Sequence, residues 1–100
     1  MELRDHYRAF RAEGATLAAL VVAPLDAVRS TQQTIGAPYP LLADPDHRVA
    51  QAYGVYDLLG DGYAAPSVFV IDPAGRIVWS YVGQDPHDRP SAEEILSHLP

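Results

Sequence analysis

The side chains able to do chemistry in this chain are histidines, carboxylates, hydroxyls and one thioether, because its 100 residues include no cysteine. That composition excludes a disulfide framework, a thiolate metal site and a thiol nucleophile together. His6, His47, His87 and His98 could in principle share a metal with Asp44, Asp46, Asp85 or Asp88. None of them has the dense spacing of a ligand pair on one helix, and the aspartates stand where caps and turns need them, so neither a metal nor any other cofactor is expected. Ser67 has no base beside it in sequence, and no glycine-rich phosphate loop is present. A hydrolytic triad and a nucleotide site are therefore not expected either.

The residues that must position any site alternate between helical and extended patterns. Leu3, Tyr7 and Phe10 fall at i, i+4 and i+7 and predict an amphipathic helix that ends at a left-handed Gly14. Thr16–Val22 is an almost unbroken apolar run between Gly14 and Pro24, which predicts a strand buried on both faces. Pro24 at the first helical position and Asp26 in the first turn predict a second helix with an inner stripe of Val28, Thr31 and Ile35, closed by Gly36. Leu41–Ala43 is a short edge strand. Asp44 as N-cap and Pro45 behind it predict a third helix running through Val49, Ala50 and Tyr53 to Gly54. Residues 55–65, with Gly60, Asp61 and Gly62, read as a surface loop. Ser67–Ile71, the turn Asp72-Pro73-Ala74-Gly75 and Arg76–Val82 predict an antiparallel hairpin, with Ile77, Trp79 and Tyr81 on one face of its second strand. Ser91 and Glu94 form a capping box that opens a last helix. The order predicts an α/β domain spanning residues 1–100, a mixed sheet with helices on its faces.

Composition limits the partners. A net charge of -6 opposes phosphate backbones and anionic lipid surfaces, so nucleic acid and membrane are not expected. Arg4, Arg8 and Arg11 recur at helical spacing and read as a solvated helix face. No apolar run approaches membrane-spanning length and the first residues are charged, which predicts a cytoplasmic protein. The absence of lysine beside seven arginines suggests a GC-rich bacterial genome.

Four segments, in order, resemble one family. Ala65-Pro66-Ser67-Val68-Phe69-Val70-Ile71-Asp72-Pro73-Ala74-Gly75-Arg76-Ile77 is similar to the final hairpin of the alkyl hydroperoxide reductase and thiol-specific antioxidant proteins, peroxiredoxin-like members of the thioredoxin superfamily. Leu3 to Phe10 with Glu13-Gly14-Ala15-Thr16 resembles the helix and strand that follow that family's active-site cysteine. Leu41-Leu42-Ala43-Asp44-Pro45-Asp46 and Val49-Ala50-Gln51-Ala52-Tyr53-Gly54-Val55 resemble its aspartate-led helix and the tyrosine-glycine turn after it.

The resemblance implies a thioredoxin-like fold that lacks the N-terminal strands and the catalytic cysteine loop, so the chain is expected to be incomplete relative to the family. It implies that Pro66 is the cis-proline of the cleft, bordered by Ala65, Ser67 and Tyr56. On its own terms Pro66 reads as a trans proline opening an edge strand. The arginine that many relatives carry beside this proline has no counterpart in Ala64, Ala65 or Pro66. Full-length relatives reduce peroxides or exchange disulfides through a thiolate. Here no catalytic residue is assigned, and the expectation is a catalytically silent domain or a cysteine-free module that binds a protein partner. The resemblance further implies that a central strand is missing between Thr16–Val22 and Ser67–Ile71. Their uncovered edges predict a homodimer, or else a sheet closed by pairing the two strands directly.

Overall fold

The computed structural model describes residues 5–100. Four helices and four strands follow one another as α1 (Tyr7–Ala12), β1 (Ala19–Val21), α2 (Leu25–Ile35), β2 (Leu41–Ala43), α3 (Arg48–Ala52), β3 (Ser67–Ile71), β4 (Ile77–Val82) and α4 (Ala92–Ser97). This is the predicted order. Leu3 and Arg4 lie outside the described residues.

Local chemistry explains most of the boundaries. Helix α1 ends as expected at Gly14, whose φ is +80°. The Ala15 N–H donates to the Phe10 carbonyl and the Gly14 N–H to that of Arg11, both at 3.0 Å, the paired bonds of a Schellman turn. Helix α3 ends the same way, with Val55 donating to Ala50 and Gly54 to Gln51. Pro24 is the N-cap of α2 rather than its first residue, and Gly36 closes that helix in the left-handed region. Thr31 is not on the inner stripe: it is exposed, with Oγ1 donating to the Ala27 carbonyl, and Gln32 takes the inner place. From there Gln32 ties the helix to the approach to β2, donating to the Tyr39 carbonyl and accepting from the Leu41 N–H.

Asp44 caps α3 from a distance. The helix begins at Arg48, with His47 as N-cap, because Pro45 and Asp46 make a turn first. The Asp44 carboxylate still accepts from the Val49 N–H at 3.2 Å and the Ala50 N–H at 2.9 Å, while Asp44 itself is 3% exposed. A buried carboxylate holding two helix-entry amides leaves them unsatisfied when it is removed. Asp44→Ala is therefore expected to destabilise the fold by about 1–3 kcal/mol in urea unfolding, with Asp44→Asn costing less.

The strands form two separate two-stranded sheets rather than one mixed sheet. Parallel β1 and β2 pair Ala19 with Leu41, Leu20 with Leu42 and Val21 with Ala43. Antiparallel β3 and β4 pair Ser67 with Val82 through Val70 with Trp79, and a register shift before Ile71 leads into the Asp72–Gly75 turn. Asp72 Oδ1 accepts from both Ala74 and Arg76 to shape that turn. The expected split of β4 holds for its far part: Trp79 and Tyr81 are half-buried, while Val78, Ser80 and Val82 are exposed.

The expectation of a β1 buried on both faces is overturned. The strand proper is Ala19–Val21, Leu20 and Val21 are each 37% exposed, and Thr16 and Ala18 are exposed as well. Burial on both faces requires elements packed over each of them, and here the face carrying Thr16, Ala18 and Leu20 is exposed while Leu17 and Ala19 on the other are half-buried. Direct closure is overturned too, since β1 and β3 do not pair.

The best-filled core lies on the β3–β4 side. Phe10, Val70, Ala92 and Ile95 form a buried cluster, with Leu17, Val68, Trp79, Leu96 and Leu99 packed against it. Val28, Tyr39, Ala50, Val55 and Ala65 are buried elsewhere. Helix α4 is held in place by its predicted cap, the Ser91 Oγ accepting from the Glu94 N–H at 3.1 Å.

Candidate functional site

The segment 64–67 enters β3 through a chain of backbone bonds. The Ala65 N–H donates to the Val55 carbonyl at 3.0 Å, and the Pro66 carbonyl accepts from the Gly83 N–H at 2.7 Å. Ser67 Oγ turns back to donate to the Ala65 carbonyl at 2.7 Å. That hydroxyl is engaged, which leaves it a backbone clamp rather than a nucleophile beside a base.

The expectation that Pro66 is cis is corrected: no cis peptide bond occurs among the described residues. Trans is the intrinsic preference of an X–Pro bond by about 0.5–1 kcal/mol, and the contacts around this one do not overturn it. The proline opens β3 in the manner that its position at a strand start allows.

Ala64, Ala65, Pro66 and Ser67 line a cavity of about 870 Å³, together with Leu20, Ile35, Val49, Tyr53, Phe69, Arg89 and residues around them. Three of the four candidate site residues are thus brought to one cleft. Tyr56 is the exception, since it does not line the cavity and stacks on His47 instead, with ring centroids 3.9 Å apart and planes 13° apart. A bridge between Tyr56 and Ala64 closes the 55–65 loop and holds it there. Tyr39 and Tyr53 are the tyrosines that line the cleft, and the ring of Tyr53, at the end of α3, lies 4.8 Å from that of Phe69.

Arg89 is the charged residue on the cavity wall, and sequence reasoning did not find it. It is presented by the segment 83–90, which a second set of contacts pins beside Pro66. Gly83 is buried, and a Cβ there would run into the carbonyl oxygens of Asp88 and Pro66, so the position takes no side chain without a backbone shift. Asp88 Oδ1 accepts from the Tyr81 hydroxyl and Oδ2 from the Gln84 N–H.

The Tyr81–Asp88 bond shifts both groups. Donation from Tyr81, and then from the Gln84 amide, holds the Asp88 carboxyl below its ordinary value of 3.8. The same bond, with desolvation and the negative charges of Asp88, Glu94 and Asp85, holds the Tyr81 hydroxyl above 10.0. The Asp88 contribution is present above its ordinary value and is lost as pH falls through the lowered one. The Tyr81 contribution is present below its ordinary value and is lost as pH rises through the raised one. Tyr81→Phe is accordingly expected to return the Asp88 carboxyl toward its ordinary value in an NMR titration.

Among the described residues no group of three His, Asp or Glu side chains is arranged to hold a metal ion. His98 stacks on Trp79 at 4.4 Å, His6 lies 3.5 Å from Glu93, and Asp85 Oδ1 accepts from the His87 amide. No helix among the described residues is long and apolar enough to cross a membrane.

Two solved structures place this architecture among known folds. AhpC of Enterococcus faecalis is 25% identical, superposes with a TM-score of 0.85, and is matched over 98% of this chain and 60% of its own. Reduced Prx3 of Vibrio vulnificus in complex with H2O2 is 23% identical, with a TM-score of 0.82 over 99% of this chain and 66% of its own. The fold is that of the thioredoxin-like peroxiredoxins, of which this chain spans less than two thirds. No curated protein is matched. The sequence pattern of the AhpC/TSA family matches residues 1–80, and the chain belongs to that family.

Proposed function

We propose that this chain, a single AhpC/TSA-type domain with no thiol of its own, works by binding, in the first instance to a second copy of itself. The observation that carries this reading is a family scaffold retained over the whole chain in which no residue is a cysteine. Unpaired strand edges support it: β1 and β3 each leave one edge open toward the gap between them, and among the described residues the outer edge of β4 has no further strand.

Strand β4 is suited to self-association. Its Ile77, Val78 and Val82 are 40–53% exposed. Because Tyr81 and Trp79 exchange hydrogen bonds with β3, antiparallel alternation turns the backbone groups of Ser80 and Val82 outward. Two such edges pair about a two-fold axis with each patch facing itself. The proposed setting is the cytoplasm of a bacterium.

The test is light scattering across a dilution series. A mass of twice 10.9 kDa that falls on dilution, and falls sooner when Val82→Lys puts a charge on the edge, is expected. A 10.9 kDa species at every concentration overturns the homodimer.

The extent of the solved relatives favours a second reading, a peroxiredoxin-type domain that is catalytically silent in this chain. With 34–40% of each relative lying outside the match, the peroxide chemistry suggested by Prx3 and its H2O2 would require a thiol that this chain does not contain. The intact mass of the native protein separates the two readings: a mass above 10.9 kDa with a titratable thiol favours the second, and 10.9 kDa favours the binding module.

A further inference from the structure

We infer that Trp79, Tyr81 and Asp88 form a redox relay that takes up small diffusing one-electron oxidants, with Trp79 as the point of entry, Tyr81 as the final electron donor and Asp88 as the acceptor of its proton. This activity is distinct from binding and from thiol-dependent peroxide reduction, and it rests on neither.

In a chain without cysteine, indole and phenol are among the side chains that give up one electron most easily, and Trp79 is the one tryptophan of the sequence. Trp79 and Tyr81 stand two residues apart on β4, so strand alternation puts both on the face that packs toward α4. Their ring centroids lie 6.3 Å apart with planes at 40°, within the range of a packed aromatic pair. The other ring beside Trp79 is the exposed His98 at the end of α4, stacked at 4.4 Å with planes 7° apart. Imidazole is harder to oxidise than indole, so His98 shields one indole face without competing for the charge. Tyr81 is then the electron donor next in line.

A phenol that has lost an electron is a strong acid, and its oxidation is easy only where the proton leaves with the electron. Tyr81 meets that condition. Its hydroxyl donates to Asp88 Oδ1, while Oδ2 accepts from the Gln84 N–H at 2.9 Å and so keeps the carboxylate oriented. An ionised carboxylate is an acceptor alone, and these two bonds hold the Asp88 carboxyl below its ordinary 3.8. Tyr81 and Asp88 are both half-buried, which shields their bond from bulk water. The turn that brings Asp88 back to Tyr81 depends on Gly83, where a Cβ would come within 2.3 Å of the Asp88 carbonyl oxygen.

The oxidant takes one electron from the Trp79 indole and leaves as its anion, and the indole cation releases its N–H proton to water. An electron then passes from Tyr81 to Trp79 as the Tyr81 hydroxyl proton moves to Asp88 Oδ1, and the indole nitrogen recovers a proton from water. Asp88 returns its proton to solvent. The net change is one radical reduced to its anion, Tyr81 oxidised to a neutral phenoxyl radical, and one proton released.

The probe is the azidyl radical, made by pulse radiolysis in azide buffer, which at neutral pH oxidises indole in preference to phenol. With the full chain, indolyl absorption is expected first, followed by its first-order decay into phenoxyl absorption at a rate independent of chain concentration. Tyr81→Phe should abolish that phase and leave a long-lived indolyl radical, whereas Tyr53→Phe, whose ring packs on Phe69 instead, should leave it unchanged. Asp88→Asn keeps an acceptor but loses the base, and should slow the phase by about tenfold or more. Transfer in the unaltered chain should also slow in heavy water. Circular dichroism is read on each variant.

An indolyl decay that Tyr81→Phe does not change overturns the relay. So does a rate that rises in proportion to chain concentration, because the transfer would then run between molecules. A folded Asp88→Asn variant with the unaltered rate removes Asp88 as the proton acceptor and overturns the relay as stated. Should that variant unfold, the unaltered chain decides the point: equal rates in light and heavy water mean that no proton moves with the electron, and the assignment to Asp88 falls.

Discussion

Phe10→Ala is expected to lower the unfolding free energy by about 3–5 kcal/mol. Phe10 has no exposed surface and reaches from α1 into the cluster formed with Val70 of β3 and with Ala92 and Ile95 of α4. Its removal takes away the transfer free energy of the ring and also leaves a void that already borders the 480 Å³ cavity. That cavity opens onto the gap, so the neighbours have little on its far side to press them inward. Domains of this size carry about 5–15 kcal/mol in total, and the variant would stand close to its unfolding threshold. Urea unfolding measures the loss. Leu58→Ala, in a loop and 55% exposed, is the control and should change stability by less than about 0.5 kcal/mol. If Phe10→Ala also costs less than about 1 kcal/mol, the β3 side is not the core that holds the molecule together.

What the sequence made legible is the part governed by near neighbours. Gly14 and Gly54 mark helix ends because a left-handed residue completes two backbone bonds within a single turn, and both do so. Ser91 caps α4, and Asp72 with Gly75 shapes the hairpin, for equally local reasons. Asp44 shows where this reasoning loses precision: it satisfies helix amides as expected, but from across a turn that moves the helix start to Arg48.

The misses are long-range. An apolar run such as Thr16–Val22 carries the composition of a buried strand whether or not neighbours arrive on both edges, so its half-open state could not be read from composition. Tyr56 was placed at the cleft by resemblance, yet the partner that captures it, His47, sits in a left-handed N-cap that no local pattern announces. Arg89 reaches the cavity because Gly83 lets the Asp88 and Pro66 carbonyls approach, a contact between segments seventeen and more residues apart in the chain. The isomer at Pro66 depends on contacts of the same kind, which is why the residue's own preference predicted it better than the family pattern did.

The pure chain is expected to leave hydrogen peroxide and alkyl hydroperoxides to their uncatalysed decay, even with a thiol reductant and thioredoxin present. Thiol-dependent reduction requires a thiolate that attacks one peroxide oxygen, releases the other as water or alcohol, and is left as a sulfenic acid that a second thiol reduces. With no cysteine, the sulfur available is the Met1 thioether, which can take up oxygen but does not pass through a disulfide to be regenerated by thioredoxin. Any consumption through it would stop after one equivalent. The cleft supplies no substitute: Ser67 Oγ is spent on the Ala65 carbonyl, and the segment 64–67 contains no base to activate it. Arg89, on the cavity wall, could stabilise a developing anion but attacks nothing. Peroxide loss followed by a ferrous-iron dye assay, with a cysteine-containing peroxiredoxin as the positive control, should show the chain within error of buffer alone. Saturable turnover that scales with chain concentration and exceeds one equivalent would require a nucleophile this sequence does not contain, and would overturn the reading of the molecule as a binding domain.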